Sequence, residues 1–213
     1  MKKIIILFIL GATCLTGRAQ GNSSGKLGAD FPKYIGNAKE AFRKNDLEDT
    51  RYNLMLSMQQ LDMKVGEEIL KILPEKMDSM ALSKNFDNVM ATSGFIGTSI
   101  HREYGVTQQN KVEVDIITNS PLVGSLNAWL NNPMMANMGG RKAMKVDGYK
   151  GSYTYEVRDE TDNSGNQVKR PYAEMQIPVF SSLITVKCSN MNEDAFVKML
   201  NTVPVSKIAE MVK

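Results

Sequence analysis

The chain has 213 residues, 42% of them hydrophobic, with 26 Lys and Arg against 23 Asp and Glu. That length can bury a core for one domain, or for one domain with a helical appendage. A formal charge of +3 with no Lys/Arg cluster exerts little pull on a phosphate backbone, so nucleic acid is not an expected partner.

The N-terminus carries the excess charge. Lys2 and Lys3 precede an apolar run, Ile4 to Leu15, and Gly17-Arg18-Ala19 forms a small-residue approach to Gln20. This order of parts reads as a signal peptide over residues 1–19, and its apolar run falls short of the roughly 18–20 residues of a permanent span. Its removal takes Lys2, Lys3 and Arg18 and leaves 23 basic against 23 acidic residues. The expected destination is periplasmic or extracellular, with no stable transmembrane segment in the mature chain. Lipidation at Cys14 is the rival outcome, but Gly11-Ala12-Thr13 fits that processing site poorly. Once Cys14 is gone, Cys188 stands alone and no intramolecular disulfide can form, so the core must supply stability.

Residues 20–28 are small and polar, as in a flexible leader. Residues 29–80 predict a helical hairpin. Tyr34, Ile35, Ala38, Ala41 and Phe42 recur at helical spacing, Asn45-Asp46 makes the turn, and Leu54, Met58, Leu61, Val65, Ile69 and Ile72 draw one stripe down a second helix ending at Pro74. Two helices so joined are expected to lie antiparallel and share their stripes. Ala38, Ala41, Phe42 and the turn sit where tetratricopeptide-like units keep packing residues. With no second copy to stack on, such a unit must dock on the rest of the chain or on a partner.

Residues 85–213 predict an α+β sheet domain. Val112, Val114 and Ile116 alternate with Glu113 and Asp115 in a hairpin with Thr98 to Tyr104. Ser120-Pro121 opens a helix whose apolar side is Leu122, Val123, Leu126, Trp129 and Leu130. Asn131-Asn132-Pro133 interrupts it, and a further short turn carries Met134, Met135 and Met138. Asp147-Gly148 is the strongest hairpin signal, followed by Tyr149, Gly151, Tyr153, Tyr155 and Val157 in phase. A polar tip, Asp159 to Arg170, leads to Ala173, Met175, Ile177 and Val179 and then to a last strand, Leu183 to Ser189. Asn190 with Glu193 resembles a capping box before two short C-terminal helices. The expected fold class is α+β: an N-terminal αα-hairpin followed by a mostly antiparallel sheet with helices packed on it.

Candidate chemistry is sparse. His101 is the only histidine, so multi-histidine metal sites are excluded and a Ser-His-Asp triad would need it as base. No nucleophile elbow and no Gly-rich phosphate loop occurs. Cys188 among Ile184 and Val186 reads as a small core residue. Glu67-Glu68, and Glu113 with Asp115, read as solvated faces, and the tyrosine row as core. Met134, Met135 and Met138 offer soft thioethers of the kind that hold Cu(I), although methionines beside Trp129 and Leu130 more often fill a core. The same apolar, proline-kinked segment, with Trp129 and Pro133, is the candidate partner-binding rim.

A resemblance rests on Glu48-Asp49-Thr50-Arg51, Gly66-Glu67-Glu68-Ile69-Leu70, Asn119-Ser120-Pro121-Leu122, Asn132-Pro133-Met134-Met135, Gly139-Gly140 and Val146-Asp147-Gly148-Tyr149. Together these look like a group of poorly characterised exported bacterial proteins. The order of elements after Asn85 is also similar to the PsbP-like fold, best known from an extrinsic subunit of photosystem II. Neither resemblance brings catalytic residues, and PsbP-like folds serve mainly in binding and assembly. The favoured expectation is an exported, non-catalytic binding or assembly factor of the cell envelope, without cofactor or metal, whose partner is another envelope protein or a second copy. A small-ligand or copper carrier using the Met-rich helix is the alternative, and a hydrolase of unrecognised kind the second.

Overall fold

The computed structural model describes residues 27–92, 97–106, 110–132, 140–161 and 165–213. Two helices come first, α1 (Phe31–Arg43) and α2 (Leu47–Ile72). Asn45 takes a left-handed φ of 59°, which ends α1, and the Asp46 carboxylate accepts from the Asp49 N–H at 2.9 Å, which caps α2. Ala38 and Ala41 of α1 and Asn53 and Ser57 of α2 are buried. Ser57 Oγ donates to the Asn53 carbonyl, and Asn53 Nδ2 donates to Asp49, so this narrow seam keeps its polar groups paired. The expectation of shared apolar stripes is therefore corrected. Leu54 and Met58 each follow a seam residue directly, about 100° round the helix, and stay exposed.

Small strands β1 (Lys76–Met77) and β2 (Met80–Ala81) and a 3-10 turn, Lys84–Phe86, lead into the main sheet. Its strands are β3 (Asn88–Ala91), β4 (Thr98–Gly105), β5 (Lys111–Ile117), β6 (Arg141–Val146), β7 (Tyr149–Thr161), β8 (Gln167–Val179) and β9 (Ser182–Ser189). They lie in the order β3-β4-β5-β9-β8-β7-β6, and every neighbouring pair is antiparallel. Three further helices are α3 (Leu122–Leu130), α4 (Glu193–Leu200) and α5 (Val205–Met211). The chain is thus α+β with an antiparallel sheet and helices.

One sheet face carries Ile100, Tyr104, Val112, Val114, Ile116, Ile177, Met175, Ile184, Val186 and Cys188, all buried. Phe196, Met199 and Leu200 of α4, Val205 and Ile208 of α5, and Ile69 at the end of α2 complete this core. Full burial of a side chain such as Ile69 stabilises by roughly 1.5–3 kcal/mol. Gly66 makes the approach of α2 possible, since a Cβ there would lie 2.7 Å from Val89 Cγ1 and 2.9 Å from Ile100 Cγ1. Polar bonds fix the same end of the helix. Arg102 holds Asp87 through Nε at 3.0 Å and Nη2 at 2.7 Å while Nη1 donates to the Leu73 carbonyl, and Tyr104 Oη donates to the Pro74 carbonyl.

The other sheet face is partly covered by α3, whose Val123, Leu126 and Leu130 pack on Leu183 with Trp129 and Ala143 alongside. Lys150 Nζ donates to the Leu130 carbonyl at 2.5 Å, satisfying an end group of that helix.

Several local expectations need revision. Asp147 and Gly148 do form the β6–β7 turn, with φ of 49° and 84°. The polar stretch after Asp159 is not all tip: β7 and β8 pair out to Thr161 and Gln167, because a ribbon beyond the core is wetted on both faces and tolerates charge at every position. Val157, expected to face inward, is exposed for the same reason. The cap of α4 is Asn192, whose Oδ1 accepts from the Ala195 N–H at 2.8 Å. Asn190 instead has a φ of 60° and turns the chain out of β9.

Candidate interaction surface

A run of uncovered apolar residues lies on α1 and α2. Ile35, Phe42, Leu47, Leu54, Met58 and Leu61 are each between 41% and 66% exposed. Spacing of seven, four and three residues sets Leu47, Leu54, Met58 and Leu61 in one narrow row of α2. Farther along, the same row continues as Val65 and Ile72, which pack against the sheet core. The row is covered where α2 lies on the sheet and bare where α2 runs past it. At 26 residues the helix is about 39 Å long, more than β3 and β4 can cover.

Ile35 and Phe42 belong to the same side of the helix pair. The groove on the opposite side is polar, lined by Lys33, Asn37, Glu40 and Lys44 from α1 and by Asp49 and Tyr52 from α2. Ile35 and Phe42 flank the buried Ala38–Ala41 row away from that groove, and Leu54 and Leu61 flank the Asn53–Ser57 row away from it. The two sets therefore lie on one side of the helix pair, away from the polar groove.

The second candidate is an ionic row on the sheet face that α3 leaves open. His101 Nδ1 lies 2.6 Å from Asp115 Oδ1 and Nε2 lies 3.0 Å from Glu103 Oε1. Lys111 bridges Glu103 at 2.7 Å and Glu113 at 2.5 Å, and Lys187 reaches Asp115 at 3.3 Å. The Asp115 carboxylate above all raises His101 to about 9, against the effect of burial, and Glu103 adds to it. Burial pulls the Asp115 carboxyl upward, but His101 and Lys187 together outweigh it and hold it below its ordinary value. Glu103 behaves alike, with Lys111 and His101 overcoming burial. An imidazole that is charged at neutral pH and bound by carboxylates at both nitrogens has no lone pair with which to take a proton.

Other residues singled out by the sequence fall as follows. Trp129 is partly buried, packed against the cluster of Val123, Leu126, Leu130 and Leu183. Pro133, Met134, Met135 and Met138 lie outside the described residues, as do residues 1–19 with Cys14. Cys188 is buried, and burial alone pushes its thiol up to about 12. No helix among the described residues is long and apolar enough to cross a membrane.

The two carboxylates of His101 escaped the sequence reading although a signal existed. The hairpin register pairs His101 with Asp115, and Glu103 lies two residues along the same face. Comparison with protein-family models, with curated proteins and with solved structures finds no match for this chain.

Proposed function

We propose that this protein is an exported, non-catalytic binding or assembly factor of the cell envelope, acting through the apolar face of α1 and α2. The observation that carries the reading is that face itself: six large, exposed apolar side chains on one side of the helix pair, four of them in a row that farther along beds on the sheet. Leaving such a surface in water forgoes the stabilisation that burial would give, so a covering partner has a free-energy source ready. The state of His101 supports the non-catalytic half of the reading, since the sole imidazole is committed to holding strands together.

The finer fold is part of the same proposal. The two helices are taken as a hairpin module carried by a PsbP-like sheet, a likeness that rests on element order and on the use of such scaffolds in binding. Export rests on the N-terminal Lys2-Lys3, apolar run and Gly17-Arg18-Ala19.

Site-specific photocrosslinking in the envelope tests the reading. A photoreactive residue at Phe42 or Leu54 should yield a discrete protein adduct, and one at the exposed Lys198 should not. Adducts absent from both helix positions, or equally strong at Lys198, would remove the case for this face.

A further inference from the structure

We infer that the occupant of the apolar face is an acidic amphipathic helix of another envelope protein, laid along the seam between α1 and α2. This deepens the reading proposed above and rests on it.

A face made of apolar side chains on two helices offers an incoming segment no backbone donor or acceptor. An extended segment would bury its own N–H and C=O groups there unpaired, whereas a helix arrives with them satisfied. The shape agrees. Ile35 and Phe42 stand on one bank, Leu54, Met58 and Leu61 on the other, and the buried seam between them holds the small Ala38 and Ser57. Such a pair of helices leaves a trough that the ridge of a third helix fills. From Leu47 to Leu61 the bare row runs for about 21 Å, which is about fourteen residues of an occupying helix. Beyond Leu61 the sheet takes over, with Val65 packed on the core and Gly66 against Val89 and Ile100, so the occupant ends there.

Charge narrows the occupant further. Lys39 and Arg43 follow Ile35 at four-residue steps down the side of α1 away from the seam, and Arg51 stands between Leu47 and Leu54 on the far flank of the α2 row. All three are exposed. The acids nearby are turned elsewhere. Glu40, 3.7 Å from Arg43, lines the polar groove on the opposite side together with Asp46 and Asp49. Glu48 lies about 100° round the helix from Leu47, past Arg51. Asp62 borders the other end of the row and is held there by Thr118 and Asn119. Both banks of the trough thus carry positive charge near the α1–α2 turn, where Phe42, Leu47 and Leu54 are bare. An occupant with Asp or Glu on each flank of its apolar stripe complements them.

The same charges disfavour the other occupants. A second copy meeting this face with its own would set one positive rim against another. A flat bilayer surface would touch the two banks and leave the trough between them unfilled, so anionic lipid is the poorer match for the same cations.

Fluorescence anisotropy with designed peptides is the test. The probe is a labelled peptide of about fourteen residues with Leu at heptad positions a and d and Glu at e and g, and its counterpart carries Lys at e and g. The Glu peptide should bind the protein with a micromolar Kd and gain helical circular dichroism as it does so. The Lys peptide should bind more weakly, on the order of tenfold or more. Leu54→Gln, at an exposed position and without a change of charge, should weaken the Glu peptide by a similar factor. Lys39→Glu combined with Arg51→Glu should invert the preference between the two peptides. Equal binding of the two, binding without helix formation, or indifference to Leu54→Gln would overturn the inference. Phosphatidylglycerol vesicles, or a second copy seen in sedimentation velocity, taking the face while both peptides fail would overturn it too. A protein that takes neither peptide yet still crosslinks through Phe42 to a discrete envelope protein would sink the acidic helix alone, and the proposed function would stand.

Discussion

His101 works as a strut. Its ring joins β4 to β5 through Asp115 and is steadied by Glu103 on its own strand, so its charge is worth most when the fold is intact. An unfolded histidine titrates near 6.5, and the folded one is raised to about 9. The stabilisation is therefore complete below about pH 6.5 and disappears as pH climbs through about 9. Allowing for the partial exposure of the ring, ~1–2 kcal/mol of unfolding free energy should be lost between pH 6 and 10. Denaturant unfolding of the wild type against His101→Gln measures it, and parallel pH profiles for the two would contradict it. On the acid side the sign reverses. Asp115 and Glu103 are held below their ordinary values, so their contribution is present above the unfolded carboxylate range and is lost as pH falls through the folded one.

Among the elements, α2 has two environments along one helix. Its C-terminal part is bedded on β3 and β4, with Ile69 and Leu73 in the core and Arg102 and Tyr104 binding the chain just beyond its end. Its N-terminal part packs on α1 through a seam of Ala38, Ala41, Asn53 and Ser57. The two glycines of these helices should respond with opposite sign to one substitution. A Cβ on Gly36 meets nothing within 4 Å, so Gly36→Ala should stabilise by about 0.8 kcal/mol through helix propensity. At Gly66 the same gain is outweighed by overpacking against Val89 and Ile100, which costs ~1–3 kcal/mol, and Gly66→Ala should destabilise by about 1 kcal/mol. Denaturant midpoints at one protein concentration decide the matter, and a stabilising Gly66→Ala would refute the close approach of α2 to the sheet.

For the whole molecule, these differences predict uneven stability. The central strands share one buried face from Ile100 to Ile177, closed by α2, α4 and α5. With little more than two alanine side chains buried along α1, the loss on opening is small, since each buried methylene is worth about 0.8 kcal/mol. Hydrogen exchange should find the amides of β5 and β9 opening only with global unfolding. Those of α1 and of residues 47–58 should open at a free energy several kcal/mol lower. Uniform protection across the chain would show that the helix pair is held by contacts other than the seam.

What the sequence by itself determined were the elements and their inward faces. Period-two alternation identified Val112, Val114 and Ile116 as core, Asp147-Gly148 announced its own turn, and Asp46 its own cap, because each of these is settled by neighbours within a few residues. Tertiary structure alone decided which apolar residues find cover. Leu54 and Ile69 belong to one row and read alike in sequence, but the sheet reaches only Ile69. Whether a side chain is a core residue or part of a surface depends on where the sheet ends beneath the helix. The clamp on His101 is of the same kind, since its carboxylates act together only once β4 and β5 are in register.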